Sequence, residues 1–319
     1  MSLNLAQIQS LRKAYGERVQ VNVSLKRYTA ARLGGNADVM ISVDTSVQLA
    51  QVTKHLWKAN IPFVILGSGS NVLVADAGVR QVVVLNHAKK VEFNQQSLHP
   101  NVWVESGANF GVLARQAATH GLAGLEWAAN IPGTVGGAIY GNAGAYGSDM
   151  AGTLLMAKIL HHIPQKGEQA PDFLQEDWPV ERFDFGYRSS SLKRQPGEAV
   201  ILSAKLKLIQ STPEAVEAKM DEYNAQRRSS QPAGASLGSI FKNPKGDFAG
   251  RLIEAAGLKG KKAGKVEISQ RHANFFITQD SASASDYADL IRLVQRQVLK
   301  QFGVNLELEI ELLGDWKER

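Results

Sequence analysis

The stretch Gly67-Ser68-Gly69-Ser70-Asn71 has the composition of a phosphate-binding turn, and it follows directly on the apolar run of residues 63–66. Glycine and serine leave backbone N–H groups accessible and add hydroxyls, so such a turn can receive anionic oxygens. It is not a P-loop, because no Gly-Lys-Ser/Thr follows, and it lacks the third glycine and the helix of a dinucleotide fingerprint. On pattern alone, a hairpin-like turn between two strands explains it equally well.

A second glycine-rich stretch spans residues 131–147 and has six glycines in 17 residues. That density is too high for a regular element, since glycine loses the most conformational freedom when it is ordered. A flexible connector would be polar, whereas this stretch carries Ile131, Val135 and Tyr140. We therefore expect an irregular segment whose backbone approaches a ligand closely.

Three further positions carry side chains that could act on a substrate. Arg188, in Phe-Gly-Tyr-Arg-Ser-Ser, could hold a carboxylate through two parallel hydrogen bonds. Ser239 begins Ser-Ile-Phe-Lys, which is also the nucleophile pattern of penicillin-binding enzymes, but their Ser-Asp-Asn and Lys-Thr-Gly partners are absent. Glu309 shares one face of an alternating run with Glu307 and Glu311. On local sequence alone, a surface arginine, a turn-capping serine and a solvated strand face are the favoured interpretations of these three positions.

Composition excludes several classes of site. The 319 residues include no cysteine, so disulfides, thiol nucleophiles and iron–sulfur clusters are excluded. No metal site is expected, because the seven histidines are scattered and adjacent strand residues such as His161 and His162 point to opposite faces. The net charge is +6, and the densest basic cluster, residues 257–265, fits a solvated loop or a funnel for anions. Aromatic residues do not interleave with basic ones, so a nucleic-acid partner is not expected.

The surrounding pattern predicts a soluble α+β chain. No apolar stretch is long enough to span a bilayer, and the N-terminus lacks the features of a signal peptide, which favours a cytoplasmic protein. Apolar residues at helical spacing and short β-branched runs define the elements. Helices are expected within 46–62, 108–121, 213–230, 247–257 and 284–303, and strands within 63–66, 72–76, 79–86, 101–107, 153–163, 199–209 and 304–314.

Five stretches in one order resemble the UDP-N-acetylenolpyruvoylglucosamine reductases (the MurB family). They are the segments 28–39, 65–76, 131–147, 185–193 and 238–260, and the resemblance extends from about residue 20 to residue 313. Each motif is only moderately specific, but all five in this order are highly specific. The family is a group of flavoenzymes that complete UDP-N-acetylmuramate in bacterial cell-wall synthesis.

The resemblance implies an α+β fold with an FAD-binding domain of the vanillyl-alcohol-oxidase type, made of two subdomains, followed by an α+β substrate domain. We place the boundaries at 1–85, 86–210 and 211–319. Thr29, Arg32, Gly34 and Gly35 match the family's N-terminal segment. The residues matching its FAD contacts are Gly67, Ser68, Gly69, Ser70, Asn71, Ile131, Pro132, Gly133, Gly136, Gly137, Asn142 and Gly144.

The resemblance also implies a reaction. NADPH reduces FAD, which then gives hydride to the enolpyruvyl double bond of a UDP-linked amino sugar. Arg188 matches the catalytic arginine, Ser239 the proton-donating serine and Glu309 the C-terminal catalytic glutamate. Substrate contacts are expected from Tyr187, Lys242 and Asn243. We expect a monomer with no membrane partner.

The sequence departs from the family's pattern in places. The strand expected to end near Leu208 runs straight into the 213–230 helix, so this chain resembles the branch without the extra tyrosine-bearing loop. What covers the substrate pyrophosphate is therefore left open. The segments 231–239 and 275–280 also differ from the usual pattern. Another FAD-linked oxidoreductase on the same scaffold is the alternative function, although such oxidases do not need Ser239 and Glu309.

Overall fold

The computed structural model describes residues 3–163 and 172–316. None of the helices within these ranges is long and apolar enough to cross a membrane. The α-helices are α1 (Leu5–Tyr15), α2 (Ser46–Lys58), α3 (Phe110–Thr119), α4 (Val135–Tyr140), α5 (Met150–Thr153), α6 (Ser191–Arg194), α7 (Pro213–Ser230), α8 (Ala249–Ala255) and α9 (Ala284–Phe302). Short 3₁₀ helices span Gly16–Arg18, Leu25–Tyr28, Glu126–Ala128 and Val180–Phe183.

Most of the strands are short. They are β1 (Val19–Ser24), β2 (Asn36–Val43), β3 (Phe63–Leu66), β4 (Val72–Val74), β5 (Val79–Asn86), β6 (Val91–Asn94), β7 (Asn101–Glu105), β8 (Leu122–Ala123), β9 (Gly144–Ala145), β10 (Ser148–Asp149), β11 (Leu154–His162), β12 (Phe173–Pro179), β13 (Ala199–Lys207), β14 (Ile209–Gln210), β15 (Lys262–Ala263), β16 (Val266–Ile268), β17 (Phe276–Thr278) and β18 (Glu311–Leu313).

The first sheet has the strand order β1-β2-β5-β3. Strands β2, β5 and β3 run parallel, which requires crossovers, and α2 supplies the one between β2 and β3. The Thr45 hydroxyl caps α2, and the helix buries Leu49, Val52 and Leu56. β3 pairs with β5, whereas β4 pairs with β18, so the turn at residues 67–71 joins two different sheets and is not a hairpin.

The second sheet is antiparallel and has the order β12-β11-β13-β7-β6. α3 and α4 pack on it around one apolar cluster. Val216 and Met220 of α7 belong to the same cluster, so this helix packs with the second sheet. The boundary proposed at residue 210 stays a prediction, and this packing favours moving it to the end of α7.

The C-terminal region is a small three-stranded sheet, β15-β16-β17, covered by α8 and α9. α9 has a capping box at Ser283 and ends at Gly303 in the left-handed conformation, which agrees with the helix expected within 284–303. Its inward face buries residues at helical spacing, among them Tyr287, Leu290, Ile291, Val294 and Val298.

Several contacts attach this C-terminal region to β4 and to the residues that follow it. β18 pairs in parallel with β4. The Asp76 carboxylate accepts hydrogen bonds from the backbone N–H groups of Ala284 and Ser285, at 2.9 and 2.8 Å, at the start of α9. The expected closing strand over 304–314 is wrong in extent, because only β18 is a strand there. Of the preceding residues, Leu308 forms an isolated bridge with Phe241 instead of a continuous ladder.

Candidate active site

Arg188 lies in a tight turn that constrains its backbone. Gly186 and Ser189 exchange backbone hydrogen bonds of 3.0 and 3.2 Å, which closes the turn around Tyr187 and Arg188. Arg188 has a φ of 54°, in the left-handed region that non-glycine residues rarely occupy. Such strain persists only where the surrounding structure enforces it, and it concentrates at functional sites.

The strained arginine forms an ion pair with the predicted catalytic glutamate. Arg188 Nε donates to Glu309 Oε1 across 2.6 Å, and the two side chains are 25% and 15% exposed. Both Nη groups of Arg188 are without an acceptor among residues 3–163 and 172–316, so their four N–H donors are available to a ligand. Burial raises the pKa of the Glu309 carboxyl above its ordinary value, and the Arg188 guanidinium opposes that shift.

Ser239 lies beside the glutamate through backbone pairing. It forms an isolated antiparallel bridge with Phe275, and the next residue, Ile240, accepts the backbone N–H of Glu309 at 2.8 Å. The Ser239 side chain is partly exposed, and within the described ranges its hydroxyl makes no hydrogen bond. The hydroxyl is therefore available to a substrate.

The three predicted substrate contacts converge near the same place. The Tyr187 hydroxyl accepts the backbone N–H of Asn243 at 3.4 Å, and the Asn243 side-chain oxygen accepts the N–H of Ala249 at the start of α8. Lys242 Nζ lies 3.2 Å from the Glu307 carboxylate. Tyr187 is 55% exposed, so most of its ring is accessible to a ligand.

The Gly67–Asn71 turn makes direct hydrogen bonds to Glu309 and Glu311. The Asn71 side-chain amide donates to the Glu309 carbonyl at 3.0 Å, and the backbone N–H of Glu311 donates to the Asn71 carbonyl at 2.8 Å. On its other side, the Ser70 hydroxyl donates to the carbonyl of Pro132 at 3.1 Å. The turn therefore bridges the second glycine-rich segment and the segment from Glu309 to the start of β18.

The two glycine-rich segments form a cradle that fits a diphosphate. Among the described residues, no group accepts a hydrogen bond from the backbone N–H groups of Ser68–Asn71, Gly133 or Thr134. A Cβ added to Gly67 would lie 2.5 Å from Thr134 Oγ1, and one added to Gly133 would lie 3.2 Å from Ser70 Oγ. An anionic cofactor group binds to unpaired backbone N–H groups, and the glycines in both segments let it approach the backbone closely.

The second segment is more regular than its composition indicates. The expectation of a wholly irregular stretch is wrong, because residues 135–140 form α4. The Thr134 hydroxyl accepts the N–H of Gly137 and caps the helix, and Val135 and Ile139 are buried. Thr134, directly before Val135, is an N-cap residue for this helix. The high glycine content of the segment obscured that signal.

Several of the predicted FAD contacts have hydrogen-bond partners within the protein, and Asn142, Gly144 and Gly136 are three of them. Asn142 is buried, its amide donates to the Gly186 carbonyl at 3.0 Å, and its side-chain oxygen accepts the N–H of Ala151. The Asn142 side chain therefore supports the turn that carries Arg188. Gly144 pairs with Asp149 in the β9–β10 ladder, and the Gly136 N–H donates to the backbone carbonyl of Ser106. No structural observation assigns these three residues to a cofactor.

Comparison with known proteins decides the family. Residues 37–160 match the family model described as FAD binding domain, and residues 230–313 match that of the UDP-N-acetylenolpyruvoylglucosamine reductase C-terminal domain. The reductase of Chloroflexus aggregans is 37% identical over 295 residues, which cover 92% of this chain and 96% of that protein. The chain belongs to the UDP-N-acetylenolpyruvoylglucosamine reductase family.

Other members of the reductase family give the same result. UDP-N-acetylenolpyruvoylglucosamine reductase 2 of Bacillus cereus (strain ZK / E33L) is 39% identical over 94% of each chain. The crystal structure of the Thermus caldophilus reductase (MurB) superposes with a TM-score of 0.75 at 33% identity, covering 92% of this chain and 98% of that one. The expected combination of an FAD-binding domain with the family's C-terminal domain is therefore confirmed.

Proposed function

We infer that this protein is an FAD-containing, NADPH-dependent reductase that converts UDP-N-acetylglucosamine enolpyruvate to UDP-N-acetylmuramate for peptidoglycan synthesis. Membership of the reductase family along nearly the whole chain supports this activity. The observation that carries the assignment to this site is the Arg188–Glu309 ion pair beside Ser239 and the flavin-type turn. FAD, when bound, passes hydride from NADPH to the substrate.

The residues proposed to hold FAD are those of the cradle. The N–H groups of Ser68–Asn71 and of Gly133 and Thr134 would receive the diphosphate oxygens. Ser70 joins the two segments through its hydrogen bond to Pro132. The side chains that touch the cradle are small, so the backbone can approach the diphosphate closely.

Arg188 is proposed to stabilise the charge that develops on the substrate. Hydride addition to the far carbon of the enolpyruvyl group places negative charge beside the carboxylate, as an enediolate. The two unpaired Nη groups of Arg188 can hold both carboxylate oxygens while this charge grows. Glu309 keeps the guanidinium in place through Nε, so the proposed role of Glu309 is to orient Arg188.

Ser239 is proposed to give the proton that completes the reaction. Its hydroxyl has no hydrogen-bond partner within the described residues, and the backbone N–H of Glu309 pairs with the neighbouring Ile240. A serine hydroxyl is a weak acid in water, but an enediolate carbon is basic enough to take its proton when the two are in contact. We propose that Tyr187, Lys242 and Asn243 hold the nucleotide-sugar part of the substrate.

We propose that the enzyme acts as a monomer in the cytoplasm, where NADPH is found, on a small molecule and not on nucleic acid. The Arg188–Glu309 ion pair and the hydrogen bond from the Glu309 N–H to the Ile240 carbonyl bring the proposed catalytic residues together within one chain, so no second copy is needed to complete the site. Light scattering of the purified holoenzyme measures its mass directly. The mass of a dimer would contradict this proposal.

One experiment tests the activity. The purified protein is expected to be yellow, to lose its flavin absorbance anaerobically with NADPH, and to regain it when the enolpyruvyl sugar nucleotide is added, with UDP-N-acetylmuramate as the product. A colourless protein that cannot be reconstituted with FAD would contradict the proposal. So would a flavin whose reoxidation the sugar nucleotide does not accelerate, and that result would favour another FAD-linked oxidoreductase.

A further inference from the structure

Alternate carboxylates before and in β18 each pair with a cation from a distant part of the chain. Glu307 pairs with Lys242, Glu309 with Arg188, and Glu311 with Lys193. The first two pairs contain residues with proposed roles toward the substrate. The third pair, Lys193 with Glu311, has no role in the reaction as derived above.

The third pair is short and partly buried. Lys193 Nζ lies 2.6 Å from Glu311 Oε1, and the Lys193 side chain is only 18% exposed. Exposed ion pairs contribute little, but a mostly buried ammonium that loses its partner keeps an uncompensated charge. Glu311 is the sole acceptor for the Lys193 ammonium among the residues that the structure describes.

The location of Lys193 connects it to the strained turn. Lys193 lies five residues after Arg188, in α6, whose cap Ser190 is buried. The Ser190 hydroxyl accepts the N–H of Lys193 at 3.2 Å and donates to the carbonyl of Tyr140 at 2.7 Å. One end of this short helix is therefore fixed to α4, and the other is fixed to β18 by the ion pair.

Glu311 also connects to the FAD-binding turn, since its backbone N–H donates to the carbonyl of Asn71. The left-handed backbone of Arg188 needs restraint from its surroundings. We propose that Lys193 and Glu311 are positioning residues, which hold the Arg188 turn in register with Glu309 and so set the rate of the substrate step. This inference rests on the proposed function.

The test uses holoenzyme in stopped-flow experiments that follow each half-reaction separately. Lys193→Met and Glu311→Gln remove the charges with little change in shape, and Glu311→Gln keeps the backbone bond to Asn71. Both variants should bind FAD normally and be reduced by NADPH within about twofold of wild type, because Arg188 acts only in the substrate step. Reoxidation by the enolpyruvyl substrate should slow by about 10- to 100-fold, as expected for a misplaced catalytic group.

Two further variants make the result decisive. The exchange Lys193→Glu with Glu311→Lys should restore most of the reoxidation rate, because the charges are again paired. Lys262→Met, which removes the exposed Lys262–Glu267 pair between β15 and β16, should leave both half-reactions unchanged.

Reoxidation at the wild-type rate in both single variants would overturn the proposal. Equal slowing of both half-reactions, with loss of FAD and a lower melting temperature, would also overturn it, because that result indicates a merely structural pair. If the wild-type enzyme itself is not reoxidised by this substrate, the proposed function fails instead.

Discussion

Arg188 Nε donates to Glu309 Oε1 across 2.6 Å, although the two residues are 121 positions apart in the chain. The arginine comes from a tight turn beside the second sheet, and the glutamate precedes β18, which pairs with β4 in a separate two-stranded sheet. The ion pair therefore forms only when the Arg188 turn and the C-terminal region are brought together. Among the described residues, both Nη groups of the guanidinium have no acceptor and can donate to a substrate carboxylate.

Replacing Arg188 should impair the substrate step. Arg188→Ala should lower turnover by about 10²–10³ or more, the usual effect of removing one donor that stabilises an oxyanion. Arg188→Lys keeps the charge but loses the planar fork, so it should restore only part of the rate. Steady-state kinetics of folded, FAD-saturated variants measures this. An alanine variant within about threefold of wild type would remove Arg188 from the mechanism.

The Gly67–Asn71 turn should tolerate no side chain at Gly69. A Cβ there would lie 2.0 Å from the Tyr28 carbonyl oxygen, and the φ of 57° adds strain. Gly69→Val should weaken FAD binding by about tenfold or more, equivalent to about 1.4 kcal/mol. Titration of the apoprotein with FAD gives the affinity. Gly197→Val is the control, because Gly197 also has a positive φ but lies in open space. Equal FAD affinity in both variants would contradict the placement of the turn.

Asp76 should stabilise the docking of α9 against the loop that follows β4. Its carboxylate accepts two backbone N–H groups and the Ser285 hydroxyl at the start of this helix. Asp76→Ala should lower the free energy of unfolding by about 1 kcal/mol, as for the loss of a helix cap. Asp76→Asn should lose less, because one side-chain oxygen remains. Urea unfolding of FAD-saturated protein measures both, and an unchanged alanine variant would contradict the capping role.

Lowering the pH should remove the contribution that the Asp247–Arg251 ion pair makes to the stability of the fold. The hydrogen bond from Arg251 holds the pKa of the Asp247 carboxyl at about 2, below its ordinary value of 3.8. A lowered pKa stabilises the fold above pH 3.8, and this contribution is lost as the pH falls toward 2. The stability difference between wild type and Asp247→Asn should therefore be full at neutral pH and disappear near pH 2. Asp221→Asn, at an exposed carboxylate of α7, is the control, and a constant difference at Asp247 would contradict the pairing.

Local patterns in the sequence predicted the local structure well. The apolar spacing of α9, its serine cap and Gly303 each depend on residues within one helix, so the sequence alone identifies the helix and its buried face. The same holds for α7, where Pro213 occupies the first turn. The helix α4 was missed because six glycines suggested irregular backbone, whereas tertiary packing of Val135 and Ile139 stabilises a short helix there.

Long-range pairing could not be predicted from the residues themselves. The sequence identified β3 and β4, but not that they join different sheets. The run Glu307–Glu311 alternates like a solvated strand, yet each of its three carboxylates has a cationic partner supplied by a distant segment. The family resemblance singled out Glu309, and nothing local distinguished Lys193, whose partner lies 118 residues away (311 minus 193).

The measurement that tests the central claim most directly is stopped-flow absorbance of Ser239→Ala, followed through both half-reactions. Ser239 is assigned only to protonating the substrate carbon, so NADPH should bleach the bound flavin at near the wild-type rate. Reoxidation by UDP-N-acetylglucosamine enolpyruvate should slow by about 10²–10⁴, the range for a lost general acid. Equal slowing of both steps would show that Ser239 only supports the structure, and no slowing of either would place the proton donor elsewhere, with Glu309 the first candidate.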